Sequence, residues 1–273
     1  RAGRRAARCG VQCDSAARVA WRRHEGACTD VGGPYGGDGG VQGSVEVLEI
    51  HDTHSGVVSA ALAMNKDKAK AVLAVAGVPV TVHSLVERNV AAKAHVMAPP
   101  YVVKPVADGS SFGVIIVREG AAHPPQELYR PDWQFGETVM VERYIPGREL
   151  TCAVLGDQAL GVIDIVPAGG GFYDYDAKYL PGGSKHILPA ELKPNIYQQV
   201  QRLALEAHRA LGCRGVSPPD FRLDDETETL ICLEVNTQPG MTQTSLAPEM
   251  AAHAAYDFER LVSWLVEDAS CRR

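Results

Sequence analysis

The chain predicts an α/β (α+β) protein, and three observations carry that expectation. Apolar, β-branched runs come in pairs across short turns, at 101–105 with 114–117 and at 149–155 with 159–166, which is the pattern of antiparallel hairpins. Apolar residues also recur at three- and four-residue steps, at Ile196, Val200, Leu203, Ala207 and Leu211 and again at Phe258, Leu261, Val262 and Leu265, as amphipathic helices require. The length of 273 residues, with 45% hydrophobic and 22% charged residues, allows one large or two moderate domains with proper cores.

The amino end stands apart. Residues 1–28 hold seven Arg against Asp14 and Glu25, a net of +5 that leaves −11 for the remainder, and they show neither helical nor strand period. The segment superficially resembles an organelle transit peptide, but a start at Arg1 favours a truncated or misread amino end. Cys9, Cys13, His24 and Cys28 lack the compact pair spacing of a zinc site. Seven irregularly spaced Cys argue against a disulfide framework and for a reducing compartment. With no apolar run long enough to span a bilayer and no secretory h-region, we expect a cytoplasmic protein without a membrane partner. The net charge of −6 gives no reason to expect nucleic acid.

From Gly32 to Gly40 a glycine-rich run offers close backbone approach to a ligand, or simply a flexible loop. Residues 57–76 are expected to be mainly helical, stopped by Gly77 and Pro79. The turn 108–113, Asp-Gly-Ser-Ser-Phe-Gly, is either an anion-covering hairpin tip or an ordinary polar hairpin. Residues 138–141 form a short apolar strand ending at Glu142, followed by a turn at Pro146-Gly147. Residues 169–183 make a long aromatic loop of the kind that serves as a lid. Asn195 is expected to cap the helix that Gly212 ends. Pro218 and Pro219 are awkward for an interior strand.

One stretch suggests chemistry by itself. At 230–246, Glu234 and Asn236 stand two apart on an apolar strand, so both face the same way and offer oxygen ligands to a hard cation such as magnesium. The following turn carries the hydroxyls of Thr242, Thr244 and Ser245.

Four ordered motifs then carry a resemblance: Lys-Pro-x-x-Asp-Gly-Ser-Ser-x-Gly at 104–113, Phe-Tyr-Asp-Tyr-Asp-Ala-Lys-Tyr at 172–179, Asp-Phe-Arg at 220–222, and Leu-Glu-Val-Asn-Thr-Gln-Pro-Gly-Met-Thr at 233–242. From roughly Gly32 to Cys271 the chain resembles the D-alanine–D-alanine ligases of the ATP-grasp superfamily. That resemblance implies an ATP-grasp fold, two α+β subdomains gripping ATP. It divides the chain into an unassigned 1–28, a remnant of the amino-terminal substrate domain at 29–60, a central subdomain at 61–141 and a carboxy-terminal subdomain with the metal site at 142–273. It implies D-alanine and ATP as substrates, two Mg2+ or Mn2+ ions, a role in peptidoglycan synthesis and a homodimer.

The resemblance also assigns residues. Lys66 and Lys104 would touch the ATP phosphates, with Ser110 and Ser111 in the loop closing over them and Tyr173 among the nucleotide-binding residues. Glu142 would take the adenine amino group, Arg143 to Ile145 would line the adenine pocket, and Glu149 would bind ribose. Lys178 and Tyr179 lie on the mobile loop, and Tyr179 with Ser110 would shape the second amino-acid pocket. Asp220, Glu234 and Asn236 match the metal ligands, and Ser245 a hydroxyl that holds a substrate carboxylate.

Departures from the family pattern are expected to matter. Pro218 stands where the family has an oxyanion-binding arginine, and proline supplies neither charge nor N–H. Gly32 stands where the family has His, and residues 1–28 show no counterpart of the amino-terminal domain; Asn65 for Asp is milder. Two alternatives therefore accompany the active ligase: a non-catalytic Mg-ATP-binding remnant, and a D-alanyl-D-lactate ligase, against which the Tyr179 hydroxyl speaks.

Overall fold

The structure is a computed structural model that describes residues 9–10, 37–109, 111–168, 182–242 and 245–271. Its larger sheet is antiparallel, in the order β12 (Thr229–Val235), β11 (Pro219–Asp224), β7 (Arg148–Leu155), β8 (Gln158–Pro167), β9 (Ser184–Ile187), with β10 (Val216–Ser217) also pairing β7. The smaller sheet is antiparallel too, in the order β3 (His83–Glu87), β6 (Thr138–Arg143), β4 (Tyr101–Pro105), β5 (Ile115–Val117). A short parallel pair joins β1 (Cys9–Gly10) to β2 (His51–Asp52). Both hairpins expected from the alternation are present.

Pleat alternation explains how each sheet is covered. On β7, Leu150, Cys152 and Val154 enter one core with α5 (Pro194–Ala210), while Ala153 and Leu155 enter a second core with α6 (Leu246–His253) and α7 (Phe258–Asp268). The large sheet is thus buried on both faces. On the small sheet, Tyr101, Val103, Val139 and Val141 pack with Ala91 and Ala92 of α4 (Arg88–Lys93). The alternate residues Val102, Lys104, Met140 and Glu142 therefore point to the opposite face, and that face looks onto the cleft.

The helix expected over 57–76 is two helices, α2 (Val57–Met64) and α3 (Lys66–Val75), preceded by α1 (Gly40–Val47). The break falls at Asn65, whose extended backbone and side chain cap α3 by accepting the N–H of Lys68. Asn thereby performs the capping that an Asp would perform there. Helix α3 packs Ala69 and Leu73 into the large-sheet core, and Cys232 N–H donates to Pro79 O just beyond it, so α3 lies along β12 before the chain enters the small sheet.

Two expectations are corrected. Asn195 does not cap α5: Lys193 is the cap and Pro194 opens the helix, its missing N–H being one the first turn leaves unbonded anyway. Pro218 and Pro219 do not bar an interior strand, because Pro218 falls between β10 and β11 and Pro219 is the first residue of β11, opposite Val235 at the end of β12, where a missing N–H is tolerated. The strand starting at Thr138 runs through Glu142 to Arg143, flanked by β3 and β4 on its two sides.

Candidate active site

The cleft is a cavity of about 780 Å3, part of it open to solvent, with walls from both sheets. Val102, Lys104, Glu142, Arg143 and the turn residues Asp108, Gly109, Ser111 and Phe112 come from the small-sheet side. Glu149, Asp220, Arg222, Leu233 and Glu234 come from the large sheet, and Lys66 from the start of α3. Tyr144 and Ile145 line it where the chain passes from one sheet to the other.

Glu142 is the electrostatic centre of the small-sheet wall. It is 3% exposed, with Lys104 Nζ 2.6 Å from Oε1, Lys70 Nζ 3.1 Å from Oε2 and the Thr81 hydroxyl donating to Oε2 at 2.8 Å. Burial pushes the carboxyl pKa up, but the Lys104 and Lys70 charges and the donated hydrogen bonds outweigh it, and the group is held at about 2. Glu142 is therefore ionised across the working pH range.

Lys66, the first residue of α3, donates to Asp108 O and lies 3.5 Å from Glu234 Oε2. Burial lowers its pKa against the pull of Glu234. Asp220 and Glu234 are opposed partners on β11 and β12, next to a bulge between Asp220 and Phe221. Cross-strand partners share a face, so both carboxylates flank the cleft while Phe221 and Leu223 go to the core. Asn236 follows the end of β12; its N–H donates to Pro218 O at 3.1 Å, and its Oδ1 accepts the N–H of Gln238 at 2.8 Å.

Arg222 alternates with Asp220 on β11 and faces Glu149 across the β11–β7 ladder, with 3.4 Å from Nη1 to Oε2. Its Nε donates to Ile145 O, and its guanidinium lies over the Tyr144 ring. The N–H groups of Arg143 and Tyr144 are used by Val82 O and Pro100 O, whereas that of Ile145 makes no hydrogen bond among the described residues. Ser245 caps α6, and its Oγ lies 2.7 Å from Thr242 Oγ1 and accepts the Thr242 N–H.

Lys66, Lys104, Ser111, Glu142, Arg143, Ile145, Glu149, Asp220 and Glu234 thus share one cavity lining. Asn236 and Ser245 stand on the loop after β12 and at the cap of α6, outside that lining. Gly32, Ser110, Tyr173, Lys178, Tyr179 and Thr244 lie outside the described residues. Sequence reasoning missed Lys70, Thr81 and Arg222. The signal for Lys70 was its four-residue spacing from Lys66 on a helix, and for Arg222 its two-residue spacing from Asp220 on a strand.

The donor set suits a hard cation, since Asp220, Glu234 and Asn236 offer only oxygen among their acceptors and Glu234 is already turned to a positive charge. Among the described residues no group of three or more His, Cys, Asp or Glu side chains gathers, and this set contains only two carboxylates.

Comparison with known proteins agrees with this geometry. Residues 69–267 match the family model described as the D-ala D-ala ligase C-terminus. The chain is 59% identical over 274 residues to a D-alanine–D-alanine ligase of Methylobacterium radiotolerans, covering 99% of this chain and 89% of that one. It is 62% identical over 244 residues to one of Chelativorans sp., covering 88% and 79%. The solved D-alanine–D-alanine ligase of Bacillus anthracis complexed with ATP superposes with a TM-score of 0.69 at 30% identity, covering 86% of this chain and 75% of that one. A D-Ala:D-Ser ligase from Enterococcus faecalis superposes with a TM-score of 0.71 at 30% identity, covering 86% and 70%.

Two antiparallel sheets closing on a cleft lined by lysines and carboxylates define an ATP-grasp ligase. The chain belongs to the D-alanine–D-alanine ligase family. The match to the Methylobacterium protein extends beyond the span from Gly32 to Cys271 on which the resemblance was first read.

Proposed function

We propose that this chain joins two D-alanines into D-alanyl-D-alanine for peptidoglycan synthesis, with conversion of ATP to ADP and phosphate. The observation that carries this reading is the single cavity that brings Glu142, Ile145 and Glu149 together with Lys66, Lys104, Asp220 and Glu234. The first three suit a purine edge and a ribose diol: an ionised carboxylate accepts from an exocyclic amine, and the Ile145 N–H serves a ring nitrogen. The lysines suit a polyphosphate, and the turn at 108–113 covers it.

Asp220, Glu234 and Asn236 would hold magnesium or manganese. A bound cation there supplies charge neutralisation for the phosphates as the γ-phosphoryl moves. The carboxylate oxygen of the first D-alanine attacks the γ-phosphorus, the bond to the β-phosphate oxygen breaks, and ADP leaves. The amine of the second D-alanine then attacks the acyl phosphate carbon, its proton is lost, and phosphate departs as the peptide bond forms. The acyl phosphate must be kept from water, which is the role we assign to the 169–183 loop bearing Tyr173, Lys178 and Tyr179. Ser110 and Tyr179 shape the second amino-acid pocket in this reading, and the Ser245 hydroxyl holds a substrate carboxylate. Because the reaction consumes ATP, we assign it to the cytoplasm. No described helix is long and apolar enough to cross a membrane. We also propose a homodimer, measurable by sedimentation.

ADP release dependent on D-alanine, with the dipeptide recovered as product, tests the assignment. Pro218 supports a second reading, since it provides no oxyanion donor and its carbonyl is spent on Asn236. Tight Mg-ATP binding without D-alanine-dependent turnover at millimolar substrate would leave that non-catalytic reading standing. Recovery of D-alanyl-D-lactate when D-lactate is supplied would instead assign an ester-forming acceptor site.

A further inference from the structure

Lys70 is the most thoroughly buried cation of the chain's described residues, at 1% exposure, and it is absent from the cavity lining. A ligand in the cleft therefore meets Glu142 rather than Lys70. Lys70 Nζ donates to Thr81 Oγ1 at 3.1 Å and lies 3.1 Å from Glu142 Oε2. Because the Thr81 oxygen is accepting from Lys70, its proton is left to point at Glu142 Oε2, 2.8 Å away. The other carboxylate oxygen, Oε1, is held by Lys104 at 2.6 Å. One carboxylate thus has a cation at each oxygen, one facing the cleft and one behind it.

The two cations have different fates when nucleotide enters. Lys104 lines the cavity and is one of the two lysines assigned to phosphate, Glu142 is the carboxylate assigned to the adenine amine, and Oε1 is the oxygen of it that Lys104 holds. An exocyclic amine can join Lys104 at Oε1, as two donors already share Oε2, but a Lys104 that turns to the phosphates is withdrawn from Oε1. A buried carboxylate stripped of both counter-charges takes up a proton, and the protonated group would present a donor instead of an acceptor. Lys70, which no ligand reaches, stays behind.

We propose that Lys70, through Thr81, is a positioning residue for base selection: it keeps Glu142 an ionised acceptor, with Oε1 free for an exocyclic amine, after Lys104 has turned to the phosphates. This rests on the reading that ATP occupies the cleft. A purine with a carbonyl oxygen at the same position, such as the hypoxanthine of ITP, meets two acceptors face to face and is rejected. Removing Lys70 would let Glu142 hold a proton and donate it to that carbonyl.

The test compares binding and D-alanine-dependent turnover of ATP and ITP in the wild-type protein, Lys70→Met and Thr81→Val, each also combined with Glu142→Gln. Lys70→Met is expected to raise KM for ATP about tenfold with kcat little changed, and to lower the preference for ATP over ITP by about tenfold or more. Thr81→Val should act in the same direction and less. With Glu142→Gln already present, Lys70→Met should change the preference less than about twofold, since its effect runs through that carboxylate. Equal loss of ATP and ITP in Lys70→Met, or an undiminished effect of it beside Glu142→Gln, overturns the proposal. If Lys70→Met does not fold, an unchanged preference in Thr81→Val overturns it. A wild-type protein that binds neither nucleotide sinks the ATP reading as well, whereas wild-type preference for ATP that survives both variants sinks this inference alone.

Discussion

Pro218 is the residue on which the choice between the proposed ligase and its non-catalytic reading turns. It sits between β10 and β11, where its carbonyl receives the Asn236 N–H and so ties down the start of the loop after β12, while its ring nitrogen offers no donor. Loss of one oxyanion donor typically costs about 2.7 to 4 kcal/mol in the barrier. Pro218→Arg is accordingly expected to raise kcat at least about tenfold with little change in KM for ATP, measured by D-alanine-dependent ADP release. An unchanged kcat would mean that another group already holds the developing charge. Glu142 makes the complementary point: its carboxylate is buried and its partners are ionic, and the partners outweigh the burial in deciding its charge.

Gly147 shows what a single turn does for an element. Its φ is +93°, and a Cβ there would stand 2.0 Å from Leu223 O, so the turn from β6 to β7 fits against β11 only without a side chain. Gly147→Ala should cost more than about 2 kcal/mol in urea unfolding. It should also raise KM for ATP, because Ile145 and Glu149 flank the turn. Helix α5 carries a pH-dependent tie of its own. His208 is buried on it with Nδ1 2.7 Å from Ser217 Oγ of β10, and burial lowers its pKa from 6.5 to about 4. A histidine kept neutral when folded stabilises above its unfolded pKa, and that contribution is lost as pH falls from about 6.5 to about 4, up to roughly 3 kcal/mol. Unfolding free energies measured across this window should fall with pH in the wild type. His208→Asn, which keeps a hydrogen-bonding group and removes the titration, should flatten that slope; an unchanged slope would assign it to other groups.

At the scale of the molecule, the cleft is where the two sheets meet, joined by the passage at 144–147 and by α3 lying along β12. A ligand that touches both walls stabilises the folded state by mass action, about 2.7 kcal/mol at one hundred times its Kd. A non-hydrolysable ATP analogue with magnesium should therefore raise Tm by several degrees, and magnesium alone by much less, in differential scanning calorimetry. No shift with saturating analogue would show that the sheets do not share a nucleotide. A D-Ala:D-Ser ligase shares this fold, so the architecture alone does not fix the second amino acid and acceptor choice belongs to pocket residues.

Local sequence determined much of this protein. The hairpins, the helices ended by Gly77 and Gly212 and the turn at Pro146-Gly147 follow from two- and 3.6-residue periodicity and from turn chemistry, which are properties of short segments, whereas most of the motif residues that share the cavity were legible only through the family resemblance. What escaped that reading depended on neighbours distant in sequence. Lys70, Thr81, Glu142 and Lys104 come from α3, the segment after it, β6 and β4, and no periodicity announces that four such segments converge on one carboxylate. Likewise Pro219 proved compatible with an interior strand because its place at the strand's first residue, set by pairing with β12, spares the missing donor. A residue's type and spacing set which face it occupies; the sheets' packing decided which charges met there, and at low dielectric that meeting determines whether Glu142 is an acceptor.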